Sequence, residues 1–239
     1  MDGKQLRGPS STRPVPFCLH ITVMHLSILR KLLLSAGWLF MAGLAMLIAA
    51  IASRYLSLNP ASYFDRQREV YSAHSIGLFA HIAGGVLALS LGPFQFVSRL
   101  RQGRWKRVHR WLGRIYLIAV LLSGFGGLYL VSIAYGGPLN QLGFGALDLF
   151  WLVSCFKAYQ SIRGGDVQAH RRWMVRNYAA TFGAVTLRLW LAGLTVAGFD
   201  FLRAYQLVAW LSWIPNLLVA ECWLRFGPLI RDSEPSPKT

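Results

Sequence analysis

Six stretches of this chain are apolar almost without interruption, and short polar or basic segments separate them: residues 32–52, 75–97, 115–135, 142–161, 178–199 and 205–223. About 20 helical residues cross a bilayer core ~30 Å thick, and a helix satisfies its own backbone hydrogen bonds in lipid. The pattern predicts an all-α fold, a polytopic membrane helix bundle with six transmembrane helices, numbered one to six in chain order. That domain covers residues 31–226. Residues 1–30 contain a second methionine, Met24, and are punctuated by proline and serine; they are expected to be a disordered tail or an over-extended start. Residues 227–239 are expected to be a disordered C-terminal tail. "AIAS" at Ala50 to Ser53 resembles a leader cleavage site. The apolar run before it exceeds the ~7 to 15 residues of a secretory core, so helix one is expected to be retained.

Composition agrees with a membrane location. Of 239 residues, 54% are hydrophobic and 14% charged, whereas a soluble domain carries roughly 25% charged residues. A soluble chain could not hide that much apolar surface. The net charge of +16 raises the question of nucleic acid, but the basic residues lie between apolar runs and form no continuous face. No nucleic-acid partner is expected. Lysine and arginine number five in the tail to Lys31, seven from Ser98 to Arg114, four from Arg163 to Arg176 and three from Arg225 onward, against four on the other side. Cytoplasmic loops carry such an excess, so both termini are expected to be cytoplasmic.

The chain has no glycine-rich phosphate loop, nucleophile elbow or HExxH zinc pattern, and Cys18, Cys155 and Cys222 are too scattered for a metal or redox signature. They read as small apolar fillers. The apolar runs themselves hold His81, Asp148, Lys157, Arg188 and Glu221. An ionisable group inside a span costs about 2.5 to 3.5 kcal/mol on insertion scales, so each needs a partner or a purpose. By helix rise, His81 and Asp148 fall ~9 Å and Arg188 ~16 Å below the outer boundary. A long arginine closes that gap, which makes Asp148 and Arg188 candidates for an ion pair with His81 near the same level. Such a pair could simply pin helix four to helix five, or it could belong to a polar site. Glu221 is expected to pair with Arg225 one turn on, Lys157 to snorkel and Pro215 to kink helix six. Gly84, Gly85, Gly124, Gly126 and Gly127 suit close helix packing, or the approach of a flat ligand.

One motif is written twice. "KRVHRWLGRIY" (106–116) precedes helix three and "QAHRRWMVRNY" (168–178) precedes helix five, which puts His109 and His170 on one side at one level. Trp105, Trp111 and Trp173 mark the headgroup zone. As interfacial anchors, Arg110, Arg114, Arg171, Arg172 and Arg176 would meet lipid phosphates. As a functional pair, His109 and His170 would ligate a haem iron axially while those arginines neutralise its propionates.

"HIAGGVLALSLGPFQF" (81–96), "HRWLGRIY" (109–116), "GF" at Gly143, "HRRWMVR" (170–176) and "TLRL" (186–189) together resemble a bacterial family catalogued as a predicted membrane protein of unknown function. The resemblance covers residues 75–192 and implies a multi-pass protein of the bacterial inner membrane. More weakly, His81, Gly84, Gly92 and Gln95, then a basic loop, then "HRWLGR" are similar to the six-helix transmembrane b-type cytochromes, the ascorbate-dependent ferric reductases. That similarity implies haem b, with His81 and His109 at ligand positions, and a membrane oxidoreductase or electron carrier served by a quinone or a cytoplasmic donor. The chain departs from the cytochrome pattern, because helix four has no histidine and helix two has His74 and His81. Seven residues apart on one helix, ~10 Å along its axis, those two cannot clamp one iron. At most one bis-histidine site is left, His109 with His170.

Two readings therefore stand side by side. The first is a b-haem electron-transfer protein. The second is a haem-free membrane protein that binds or transports a small solute around His81, Asp148 and Arg188.

Overall fold

The computed structural model describes residues 17–227. It divides into two compact units, Met1–Phe40 and Met41–Thr239. Helix α1 runs Phe17–Ser53 and so begins inside the stretch expected to be a tail; residues 1–16 and 228–239 of the two expected tails lie outside the described residues. In the first unit, Leu32, Leu33 and Phe40 are each more than 60% exposed, as suits side chains that meet lipid.

The second unit holds α2 (Arg68–Ala73), α3 (Ser75–Gln95), α4 (Lys106–Val131), α5 (Pro138–Arg163), α6 (Val167–Thr181), α7 (Gly183–Val196), α8 (Phe201–Leu211) and α9 (Ile214–Phe226). No strand occurs among the described residues. Six segments are long and apolar enough to cross a membrane: Ile28–Ser57, Ser75–Gln95, Gly103–Val131, Pro138–Arg163, Val167–Val196 and Phe201–Phe226. The fold is the expected all-α bundle of six spans.

Two boundaries differ from expectation. The third and fifth spans take in their basic entrances, so His109 and His170 lie in the first turns of α4 and α6 and not ahead of them. At α6 the cause is local: the Asp166 side chain caps the helix by accepting from the Ala169 amide at 2.8 Å.

The last two spans are each broken near the middle. Pro215 has no amide proton and its ring crowds the carbonyl one turn back, so the sixth span divides into α8 and α9 around Ser212 and Trp213. The fifth divides at Phe182 without a proline. The loosened backbone is satisfied by side chains: Thr186 Oγ1 donates to the Ser212 carbonyl at 2.5 Å, and Asn216 Nδ2 donates to the same carbonyl at 2.9 Å and to Thr186 Oγ1 at 3.0 Å. Backbone freed inside lipid needs such partners. As a result α6 packs on α9 and α7 on α8.

The tightest helix pair is α3 with α4. A methyl group on Gly84 would lie 2.4 Å from the Ala119 carbonyl oxygen, and one on Gly126 would lie 2.7 Å from the His81 amide nitrogen. Each helix therefore meets the other backbone to backbone, as small residues permit in lipid. Ser123 Oγ locks the contact by donating to the His81 carbonyl at 2.7 Å. The main core gathers Tyr116, Val120, Trp151, Cys155, Met174 and Tyr178, all buried. Cys155 thus fills apolar space as expected.

Candidate functional site

The α3–α4 contact sets one wall of a cavity of about 310 Å³ within the second unit. Its walls are mostly apolar, with Ile48, Leu78, Ile82, Val86 and Leu147 among them, and its polar groups include His81, Ser123, Asp148, Thr181 and Arg188. A largely apolar chamber with a few convergent polar groups has the character of a small-molecule site.

The sequence brings His81, Asp148 and Arg188 to one level, and the structure brings all three to this cavity. Measured along the axis from the helix ends farthest from the His109 entrance, they lie ~9, ~15 and ~12 Å deep on α3, α5 and α7. Gly127 on α4 makes room for two of them: a methyl group there would fall 2.2 Å from Asp148 Oδ2 and 2.9 Å from His81 Nδ1. His81 Nδ1 lies 3.0 Å from the Ser123 carbonyl oxygen. A carbonyl only accepts, so the proton sits on Nδ1, and in the neutral ring Nε2 is left as an acceptor.

The expected ion pair between Asp148 and Arg188 does not form. Among the described residues the ion pairs are Arg68–Asp65, Arg176–Glu221 and Arg203–Asp200. Asp148 is only 7% exposed and forms no ion pair among the described residues. The Arg188 guanidinium donates to the Ala184 carbonyl at 2.6 Å, a bond within its own helix. The Arg188 side chain runs back along its own helix instead of towards α5. Beyond the break at Phe182, α7 packs on α8, while α5 packs on α4, α6 and α8, and both charged groups border the cavity. Arg188 faces Tyr55 and Tyr205, near enough for its charge to act on both.

The segment joining the first and second spans borders one end of the cavity. Gln67, 4% exposed, donates to the Ile133 carbonyl at 3.1 Å and accepts from the Tyr71 hydroxyl at 3.1 Å, and both side chains line the cavity. Burial first, then the neighbouring Tyr205 and Tyr55, pushes the Tyr71 phenol above its ordinary range, so it keeps its proton. Beside it, Arg66 lies 4.7 Å over the Phe201 ring.

At the opposite end the two copies of the repeated motif come together. His109 is within electrostatic range of His170 and of Arg101. Burial and the nearby Arg171 together push the Arg101 guanidinium below its ordinary value. His170 Nδ1 bonds to the Ala158 carbonyl at 2.9 Å, and His109 Nδ1 is buried without a partner. Neither histidine lines the cavity, whose one histidine is His81. An axial clamp on a haem iron needs two imidazoles facing one slot, and the cavity does not supply them. His74, the other histidine near the second span, is engaged with the Tyr129 hydroxyl at 2.5 Å.

The arginines of the motif divide into two groups. Arg114 lies 5.1 Å from the Trp111 ring and Arg176 lies 4.9 Å from the Trp173 ring, so what repeats structurally is a cation stacked on the tryptophan three residues before it. Arg176 is further engaged: its Nε and Nη2 hold the two oxygens of Glu221 at 2.5 and 2.9 Å. This corrects two expectations. Glu221 pairs with Arg176 instead of Arg225, because α9 packs on α6, and Arg176 is not free for an outside anion. Arg110, Arg114, Arg171 and Arg172 are exposed and form no ion pair with a described carboxylate. Lys157 is exposed near the same end, on α5, where its stem can snorkel.

Sequence reasoning missed one group entirely. Tyr116 donates to Asn177 Oδ1 at 2.7 Å and lies 2.9 Å from Thr181 Oγ1. Trp151 Nε1 donates to Thr181 at 2.8 Å, and Asn177 Nδ2 donates to the Trp151 carbonyl and to Ser154, both at 2.8 Å. This buried network ties α4, α5 and α6 together at the edge of the cavity, whose lining includes Thr181 and Trp151. The available signal was the tyrosine closing the first motif and the Asn-Tyr closing the second.

No curated protein and no solved structure matches the chain. A family model described as "Predicted membrane protein (DUF2306)" matches residues 78–224, from the second span to the end of the sixth.

Proposed function

The chain belongs to that family of membrane proteins, and from this premise we propose that it binds a small solute in the cavity bordered by His81, Asp148 and Arg188. One observation carries the reading: a buried carboxyl and a guanidinium border the same chamber within the spans, and among the described residues neither forms an ion pair. Unpaired ionisable groups at that depth are expensive to keep and mark binding or transport sites. In a screen of small polar and charged solutes against the purified protein, a ligand is expected to raise the unfolding temperature of wild type, and much less that of Asp148→Asn or Arg188→Gln. A broad screen that shifts nothing would remove the proposal.

The basic entrances at His109 and His170 support a cytoplasmic position for that end and for both termini, and the family's bacterial resemblance supports the inner membrane. The end of the cavity bordered by Gln67 and Tyr71 then faces outward.

A second reading has a separate observation in its favour. His109 and His170 share one end, and the bond from His170 Nδ1 to a carbonyl leaves Nε2 open, as haem ligation by imidazole needs. In that reading a b-haem exchanges electrons with a quinone or a cytoplasmic donor. An oxidised-minus-reduced visible spectrum of protein expressed with haem supplied tests it. A colourless preparation excludes it.

A further inference from the structure

The two oppositely charged groups of the cavity come from different helices, Asp148 from α5 and Arg188 from α7. On the side walled by α3, α4 and α5 are acceptors: the Asp148 carboxylate and, with its Nδ1 proton committed to the Ser123 carbonyl at 3.0 Å, the Nε2 of neutral His81. Donors come from α7 and α8, the Arg188 guanidinium, with one bond to the Ala184 carbonyl, and the Tyr205 hydroxyl, and from the turn at residues 54–57, the Tyr55 hydroxyl. A solute with a single charge satisfies one side and leaves the opposite charge buried alone, which is the costly arrangement. A neutral apolar solute satisfies neither. The formal charges of Asp148 and Arg188 cancel, so a ligand with one charge of each sign leaves the filled cavity neutral, as a low-dielectric surrounding favours.

We propose that the ligand is a small zwitterion of the amino-acid type, its ammonium group against Asp148 and His81 and its carboxylate against Arg188. This rests on the reading that the cavity is a solute site, and it names the class of that solute. The walls formed by Leu78, Ile82 and Val86 suit an apolar side chain. The volume of about 310 Å³ accommodates an amino acid and excludes a peptide of more than a few residues.

The test compares parent amino acids with analogues that lack one charge. The full chain in lipid nanodiscs is titrated with leucine, methionine and phenylalanine. The same measurement follows with 4-methylpentanoate and 3-methylbutylamine, then with 3-phenylpropanoate and 2-phenylethylamine, read by calorimetry and by unfolding temperature. At least one amino acid is expected to bind on the order of 100-fold more tightly than either of its analogues, because each analogue strands a buried charge. Asp148→Asn is expected to erase the preference for leucine over 4-methylpentanoate, and Arg188→Gln the preference over 3-methylbutylamine. The wild-type series needs no variant, so a variant that fails to fold leaves the test intact. If an analogue binds as tightly as its parent amino acid, or if only other solutes bind in a manner that depends on Asp148, the zwitterion is overturned and the solute site stands. If no solute of any kind binds, both are overturned.

Discussion

Replacing Gly84 by alanine tests the contact on which the cavity wall depends. The added methyl group would meet the Ala119 carbonyl oxygen at 2.4 Å and the Ser123 amide nitrogen at 2.6 Å. Ordinary contact begins near 3.4 Å, and both neighbours are backbone, so no rotamer change relieves the clash. The helices α3 and α4 must separate by about 1 Å, the cost of overpacking being roughly 1 to 3 kcal/mol. The shift also stretches the bond from Ser123 Oγ to the His81 carbonyl, 2.7 Å in the native protein, for about 1 kcal/mol more. Against this stands the better helix propensity of alanine, up to about 1 kcal/mol. The balance is a loss of about 2 kcal/mol, or roughly 4 to 8 °C in unfolding temperature for a chain of this size. Gly85→Ala is the control, since its methyl group would meet only Ser123 Oγ, at 3.3 Å. Thermal unfolding followed by the fluorescence of the nine tryptophans measures both. If Gly84→Ala melts no lower than Gly85→Ala, the backbone-to-backbone account of the α3–α4 contact is wrong.

Arg176→Gln is expected to destabilise the chain by about 1 kcal/mol, discounted for a partly exposed pair, whereas Arg225→Gln should have no measurable effect; equal losses in chemical denaturation would return Glu221 to its intrahelical neighbour. Tyr116→Phe removes the hydroxyl that serves Asn177 and Thr181, all three buried, and should cost about 1 to 3 kcal/mol. An unchanged unfolding temperature would mean the network holds nothing together. Single cysteines at positions 104 and 203, in a background lacking the native cysteines, should be labelled by an impermeant maleimide from opposite faces of sealed vesicles, position 203 from outside the cell. Labelling of both from one face would sink the six-span topology, and labelling of position 104 from outside would reverse it.

The number of spans was legible because lipid leaves the backbone no alternative to a helix, so long apolar runs have one meaning. The break in the fifth span was not legible. It has no proline, and Asn216 donates to the Ala179 carbonyl and Thr186 to the Ser212 carbonyl, partners that sequence cannot bring together. The site was half legible for a similar reason. Counting residues gives depth along a span, and that sufficed to group His81, Asp148 and Arg188. It does not give the direction in which a side chain leaves its helix, and that direction decided that Asp148 and Arg188 stay apart. The same blindness assigned Glu221 to Arg225, a neighbour in sequence, when Arg176 on another helix was nearer. The repeated motif drew attention to its histidines, yet when the two copies are aligned by Trp111 and Trp173, His109 matches Arg171. The stacked tryptophan and arginine are what the two copies share.

The two mid-span interruptions lie side by side, at Phe182 and at Ser212, and the Thr186–Ser212 bond joins them. They divide the last third of the bundle into two short storeys. One contains α6 and α9 and is riveted by Arg176 and Glu221; the other contains α7 and α8 and carries Arg188 and Tyr205 over the chamber. At the boundary between them lie the Thr186–Ser212 and Asn216–Ala179 bonds, with Phe182 packed against the apolar core beside them. Through the Thr186–Ser212 bond the storey that carries Arg188 is tied directly to the interruption of the sixth span.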